Sequence, residues 1–98
     1  MTIYDDIRQW AEDRNLVCGA TPEAQFQKLL EEVTELYEAL RTDNISDIVD
    51  AIGDCVVVLT ILAAQKNLDM EFCIDEAYDE IKDRKGQMIN GVFVKDDA

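Results

Sequence analysis

Residues 51–64 form a nearly continuous apolar segment that contains one carboxylate, Asp54. The segment is shorter than the ~20 residues that a bilayer span needs, so it does not predict a membrane helix. Its β-branched residues between Cys55 and Leu62 would allow a buried strand, but the long periodic stretch contains no turn signal and favours a helix. A helix that is apolar on nearly every side needs cover on all sides. We therefore expect it at the centre of a bundle or in a subunit interface, which predicts a homodimer or homotetramer.

Three other segments repeat apolar residues at helical spacing. We expect four helices, which span approximately residues 3–15, 22–41, 44–67 and 69–85. Thr21 is expected to cap the second helix, Asn44 or Ser46 the third and Asp69 the fourth. After Gly86, Asn90-Gly91 lies between two short apolar runs and is the strongest hairpin signal in the chain. The pattern predicts an all-α four-helix bundle with a C-terminal extended arm or hairpin.

Length and composition limit the classes of protein to which the chain can belong. The 98 residues suit a single domain that spans residues 1–98. The net charge of -13 repels polyanions, so we expect no nucleic acid partner. Three cysteines without a C-x-x-C pair argue against a disulfide framework or a zinc site. The N-terminus lacks the pattern of a secretion signal, and we expect a cytoplasmic protein with no membrane partner.

Acidic residues form two clusters within the second and third predicted helices. Glu32 and Glu35 lie at i, i+3 on one face of the second helix, and Glu31 lies at i, i+4 from Glu35. On the third helix, acids align at i, i+3, i+7; these are Asp47, Asp50 and Asp54. If the two helices pack antiparallel, their carboxylates can converge. Converging carboxylates are the hard oxygen ligands that suit Mg²⁺ or Mn²⁺, and the absence of histidine argues against a di-iron bundle site.

Two interpretations without catalysis remain open at this point. The acids could be the solvated stripes of amphipathic helices, although the apolar neighbours of Asp54 make that harder to sustain for this residue. The chain could then be an acidic protein that binds a basic partner surface, for instance as a mimic of nucleic acid. It could also be a helical oligomerisation module whose acids only confer solubility.

The two acidic clusters resemble the motifs of the MazG-like, all-alpha nucleoside triphosphate pyrophosphohydrolases, which carry E-E-x-x-E on one helix and E-x-x-D on the next. Residues 31–35 match the first motif, and residues 50–54 resemble the second. The sequence departs from the family at Ala51, where the family has the glutamate of E-x-x-D. We expect Asp50 to substitute for it. Residues 50–54 and the ending from Lys85 are similar to bacteriophage MazG-like proteins.

The resemblance implies an enzyme that hydrolyses (deoxy)nucleoside triphosphates between the α and β phosphates to give the monophosphate and pyrophosphate. It implies that Mg²⁺, or Mn²⁺, is held by four carboxylates, those of Glu32, Glu35, Asp50 and Asp54. Glu31 or Glu35 would orient or deprotonate the attacking water, and the sequence does not choose between them. The base that the enzyme prefers does not follow from the sequence.

Several basic, aromatic and amide residues are candidates for contacting such a substrate. Lys28 lies one helical turn before Glu32 and could contact the triphosphate. A basic group at the end of the fourth helix could do so as well, or could complement the helix dipole; it comprises Lys82, Arg84 and Lys85. Trp10 and Tyr78 could stack on a base or belong to the core. Gln25 could read a base edge or be exposed.

Overall fold

Four helices and a C-terminal hairpin make up the fold. The computed structural model describes residues 1–96. The elements in chain order are α1 (Ile3–Asp13), α2 (Pro22–Thr42), α3 (Ile45–Gln65), α4 (Met70–Ile81), β1 (Gly86–Ile89) and β2 (Val92–Lys95). The all-α prediction is confirmed, and the β-branched part of α3 is helical. The predicted arm extends to residue 98, and residues 97–98 lie outside the described range.

Side-chain caps fix where the helices begin. The Thr21 hydroxyl oxygen accepts a hydrogen bond from Ala24 N at 3.1 Å, and Pro22 occupies the first helical position. The Asn44 side-chain oxygen accepts a hydrogen bond from Asp47 N at 3.1 Å, so Asn44 rather than Ser46 caps α3. Between α2 and α3, Asp43 adopts a left-handed conformation with φ 51. This tight connection brings α3 back along α2.

The central element of the described fold is α3, which is one of the two placements that its composition predicted. It contacts α1, α2 and α4, and the contact with α2 is the most extensive. Small residues let α2 and α3 approach closely, because Ala39 and Ala51 are both buried. Val58 and Ile61 are buried further along α3. The close approach of α2 and α3 sets the distance between the acidic clusters that the two helices carry.

Two rows of large apolar residues remain exposed on the outer surface of this helix pair. The α2 stripe consists of Phe26, Leu30, Val33, Tyr37 and Leu40. The α3 stripe consists of Ile45, Val49, Ile52 and Leu59. Both rows follow the spacing of a helix face that normally packs against another helix. None of the helices in residues 1–96 has the length and apolarity that a membrane span requires.

The C-terminal hairpin forms at the predicted Asn-Gly turn. Strands β1 and β2 pair antiparallel, with Met88 opposite Phe93 and Ile89 opposite Val92. Asn90 (φ 51) and Gly91 (φ 79) supply the two left-handed conformations that this tight turn requires. The prediction of a hairpin is therefore confirmed within the described residues.

The buried part of α3 makes a prediction for stability. Ile61 is 3% exposed, so Ile61→Ala should lower the free energy of unfolding by about 2–5 kcal/mol through lost burial and a cavity. Ile3, 65% exposed on α1, provides a matched control, and Ile3→Ala should cost less than about 0.5 kcal/mol. Urea denaturation followed by circular dichroism measures both values. Equal losses at the two positions would contradict the assigned core.

Candidate metal centre

Three carboxylates from α2 and α3 converge at one point. One carboxylate oxygen from each of Glu32, Glu35 and Asp54 lies within 4.8 Å of the others. Glu32 and Glu35 share a face of α2 at i, i+3, and Asp54 approaches from α3. The predicted meeting of the two acidic faces therefore occurs for these three residues. Three hard oxygen donors at this separation are suited to coordinate a divalent cation such as Mg²⁺ or Mn²⁺.

Glu32 is the residue at this site with the clearest requirement for a partner. It is 7% exposed, and its Oε1 atom forms an ion pair with Lys28 Nζ at 3.3 Å. Its other oxygen, Oε2, is buried without a hydrogen-bond partner in the described residues. A buried acceptor without a partner is costly, and more so when it carries charge. A cation held with Glu35 and Asp54 would satisfy this oxygen, so the donor set fits a divalent metal.

Neighbouring charge and burial raise the pKa values of two acids at the site. The negative charge of Glu32 is the largest cause of the raised pKa of the Glu35 carboxyl. Burial raises the pKa of Asp54, and the charges of Asp50 and Glu32 add to the effect. The hydrogen bond to Glu32 raises the pKa of the Lys28 ammonium, which keeps it charged. A bound cation would lower the pKa values of Glu35 and Asp54, because it would stabilise their charged forms.

The other acids of the predicted site lie beside the converging three. Asp50 is exposed and is not one of the converging carboxylates, although it is close enough to raise the pKa of Asp54. It lines a neighbouring cleft of about 390 Å³ together with Glu35 and Asp47. Ala51 is 5% exposed, so the position that holds glutamate in the resembled motif is buried here. Glu31 is exposed, and its charge contributes to the raised pKa of Lys28.

A mostly apolar cavity of about 440 Å³ opens directly beside the acids. Glu32, Asp54 and Lys28 line its polar part. Two of the predicted substrate contacts, Trp10 and Gln25, also line it, and Gln25 is 9% exposed. The remaining lining residues are Leu16, Ala24, Val57, Val58 and Ile61. This volume lies in the range of small-molecule sites.

The sequence analysis did not identify Arg14 as a neighbour of the Trp10 ring, or Val57 and Val58 as lining residues of the cavity. The Arg14 guanidinium lies 4.3 Å from the centre of the Trp10 ring, and its Nη1 donates to the Trp10 carbonyl oxygen at 3.0 Å. The spacing of Trp10 and Arg14 at i, i+4 could have predicted this contact between a ring and a cation. Val57 and Val58 lie in the apolar segment of α3, where the sequence alone does not separate cavity lining from core.

The predicted contacts on and after α4 do not line this cavity. Tyr78 is 60% exposed on α4. Lys82 Nζ forms an ion pair with Asp79 at 3.2 Å. Arg84 and Lys85 occupy the segment between α4 and β1. Within residues 1–96, the basic group at the end of α4 is thus separate from the residues that surround the acids in this cavity.

The chain matches a known family of proteins over most of its length. A family model described as the MazG nucleotide pyrophosphohydrolase domain matches residues 20–91, which include all three converging carboxylates. The match confirms the resemblance that the acidic motifs indicated.

The chain is also 49% identical over 67 residues to an uncharacterised 18.2 kDa protein of the rep-hol intergenic region of Haemophilus phage HP1 (strain HP1c1). The alignment covers 68% of this chain and 41% of the phage protein. The chain thus spans about two fifths of the length of this relative. No solved structure shows significant similarity to the chain.

The raised pKa values predict how stability depends on pH without metal. Because the folded state binds protons at Glu35 and Asp54 more tightly than the unfolded state, stability decreases as pH rises through the folded pKa values. In EDTA, the melting temperature should therefore fall as the pH rises above about 4, the usual pKa of a carboxyl group in an unfolded chain. Glu35→Gln should flatten this dependence.

The matched control is Glu38→Gln, which removes one charge from the same helix outside the converging group. This control measures the effect of general self-repulsion in an acidic chain, which also lowers stability as the pH rises. Thermal unfolding at several pH values measures the slopes. If both variants flatten the dependence equally, the carboxylates of the site do not interact as described.

Proposed function

Because the chain belongs to the MazG nucleotide pyrophosphohydrolase family, we propose that it hydrolyses nucleoside triphosphates or their deoxy forms to the monophosphate and pyrophosphate. The reaction would depend on Mg²⁺, with Mn²⁺ as a substitute. The observation that carries this proposal is the convergence of Glu32, Glu35 and Asp54 beside a cavity of about 440 Å³. That arrangement offers ligands for a metal next to space for a nucleoside.

The three converging carboxylates would hold the metal, and Asp50 would support them from the neighbouring cleft. A bound divalent cation neutralises phosphate charge and lowers the pKa of a water molecule. The buried Oε2 atom of Glu32 supports this assignment, because it otherwise lacks a partner among the described residues. Asp50 is proposed as an outer contributor, since it acts on Asp54 through its charge.

Glu35 is the better candidate for accepting the proton of the attacking water. Its carboxylate belongs to the converging group, so it lies next to the position that a bound metal and its water would occupy. It is also exposed to solvent at the edge of the site, where water can approach. Glu31 lies one turn earlier on α2 and is the alternative proton acceptor. It lies outside the converging group, which suits a role in orienting water rather than in holding metal.

The cavity beside the acids would receive the nucleoside. The Trp10 ring, which Arg14 covers on one side at 4.3 Å, offers a flat apolar surface to a base. The Gln25 amide can donate and accept hydrogen bonds at a base edge. Lys28 lines this cavity and forms an ion pair with Glu32, so its ammonium can donate to a phosphate oxygen there.

Further substrate contacts are proposed for Tyr78 and for the basic group at the end of α4. Lys82, Arg84 and Lys85 have the charge to bind phosphate but do not line the cavity in this chain. We also propose that the protein acts in the cytoplasm as a homodimer or homotetramer. The exposed α2 and α3 stripes support assembly, because helix faces of this kind are normally buried against other helices.

An acidic protein that binds a basic partner surface is the alternative function. The net charge of -13 supports it. It would leave Glu32 without a role, because a buried carboxylate cannot contact an external surface. It predicts binding that weakens steeply with salt and that survives substitution of Asp54.

Catalysis can be tested with a panel of NTPs and dNTPs, Mg²⁺ and detection of pyrophosphate. Glu35→Gln and Asp54→Asn should each lower kcat by roughly 10²-fold or more, because they remove metal ligation and the proton acceptor. Glu38→Gln should retain nearly full activity, since Glu38 lies outside the converging group. Circular dichroism verifies that each variant is helical. Absence of pyrophosphate release from every nucleotide by folded wild-type protein would contradict the proposal.

A further inference from the structure

The C-terminal hairpin exposes apolar side chains on both of its faces. Met88 and Phe93 form one face as a cross-strand pair, while Ile89, Val92 and Val94 lie on the other. All residues of β1 and β2 are exposed, and the hairpin makes no extensive contact with any described helix. A two-stranded hairpin alone is at best marginally stable in water. These side chains therefore need a surface to cover them.

The hairpin is nevertheless well defined by its own residues. Asn90 and Gly91 impose the turn. Phe93 lies over Gly86, because a Cβ atom added there would be 2.7 Å from the end of the Phe93 ring and would overlap the Val94 carbonyl oxygen. Asp96 N donates to Lys85 O at 2.8 Å and extends the pairing past the strand ends. A preformed ribbon of this kind can dock without a large ordering cost.

The charge distribution along the chain indicates what kind of surface the ribbon would meet. The segment of residues 82–96, here called the C-terminal arm, holds four of the nine Lys and Arg residues but only two of the 22 Asp and Glu residues. The helical body carries nearly all the remaining acid. The arm is thus complementary to the helices of this same protein, whose surface combines acidic residues with the α2 and α3 stripes.

The exposed area matches what a second copy would bury. A folded chain of 11.1 kDa should expose about 5,700 Å², whereas this chain exposes 7440 Å². The excess of roughly 1,700 Å² exceeds the ~800 Å² per partner of a standard interface and suits an obligate one. The radius of gyration, 16.0 Å, is also larger than the ~12.6 Å of a compact domain of this length.

We propose that the C-terminal arm of one copy packs on the acidic and apolar helical surface of a second copy of this chain. The apolar side chains of the ribbon bury area there, and Arg84, Lys85 and Lys95 of the arm pair with acids of the second copy. The arm is thus an element of assembly that packs against the surface carrying the α2 and α3 stripes. This inference concerns assembly alone, and it stands whether or not the chain hydrolyses nucleotides.

The test uses the full chain with one charge placed on each face of the ribbon. Phe93→Asp/Val94→Asp should weaken self-association by roughly 10²-fold or more, because it removes the burial of two apolar side chains. Asn90→Asp is the matched control. It adds negative charge at the turn, where Asp-Gly is also favoured, and it leaves the apolar faces intact. Light scattering coupled to size exclusion measures the mass, and circular dichroism measures the helicity.

Hydrogen exchange of wild-type protein supplies an independent readout. We expect the amides of residues 86–95 to be protected at high protein concentration and to lose protection on dilution, together with the fall in mass. Free exchange of these amides in a wild-type multimer would overturn the proposal, as would protection that is independent of concentration. A wild-type chain that is monomeric at all concentrations, or a folded double variant with unchanged mass, would overturn it as well.

Discussion

Mutual repulsion among three carboxylates is the interaction that the rest of this structure has to accommodate. The fold holds Glu32, Glu35 and Asp54 within 4.8 Å of one another, and it buries an oxygen of Glu32 without a partner in the described residues. The charge of Glu32 raises the pKa of Glu35, while burial, together with the charges of Asp50 and Glu32, raises the pKa of Asp54. Without a cation, the arrangement opposes folding. With one, the same carboxylates become ligands, and the repulsion becomes affinity for metal.

The close packing of α2 on α3 makes this arrangement possible. Alanines at positions 39 and 51 allow the two helices to approach, and the rigid pair fixes the carboxylates relative to the cavity beside them. Ala51 has a cost for the site, because this position carries glutamate in the resembled motif. Asp50 supplies charge nearby but is not one of the converging carboxylates. The chain therefore has a buried alanine at this position and three converging carboxylates among the described residues.

Sequence reasoning predicted the features that depend on local pattern. The helices, the Thr21 cap and the Asn90-Gly91 turn follow from periodicity and turn chemistry, and the structure contains all of them. The spacing of the acids placed Glu32 and Glu35 on one face of α2. The rotation of α3 about its axis then decides which of its acids face Glu32 and Glu35. That rotation depends on tertiary packing, so the position of Asp50 could not be derived. For the same reason the sequence could not place the basic group after α4, or show that the hairpin stands apart from the helices.

Anomalous diffraction from crystals soaked in Mn²⁺ tests directly whether the three carboxylates bind metal. Metal binding by this group predicts a peak within about 2.0–2.6 Å of carboxylate oxygens from all three of Glu32, Glu35 and Asp54. It would be contradicted if well-occupied Mn²⁺ lay only in the neighbouring cleft beside Asp47 and Asp50. It would also be contradicted if no Mn²⁺ bound and the three carboxylates pointed apart into solvent.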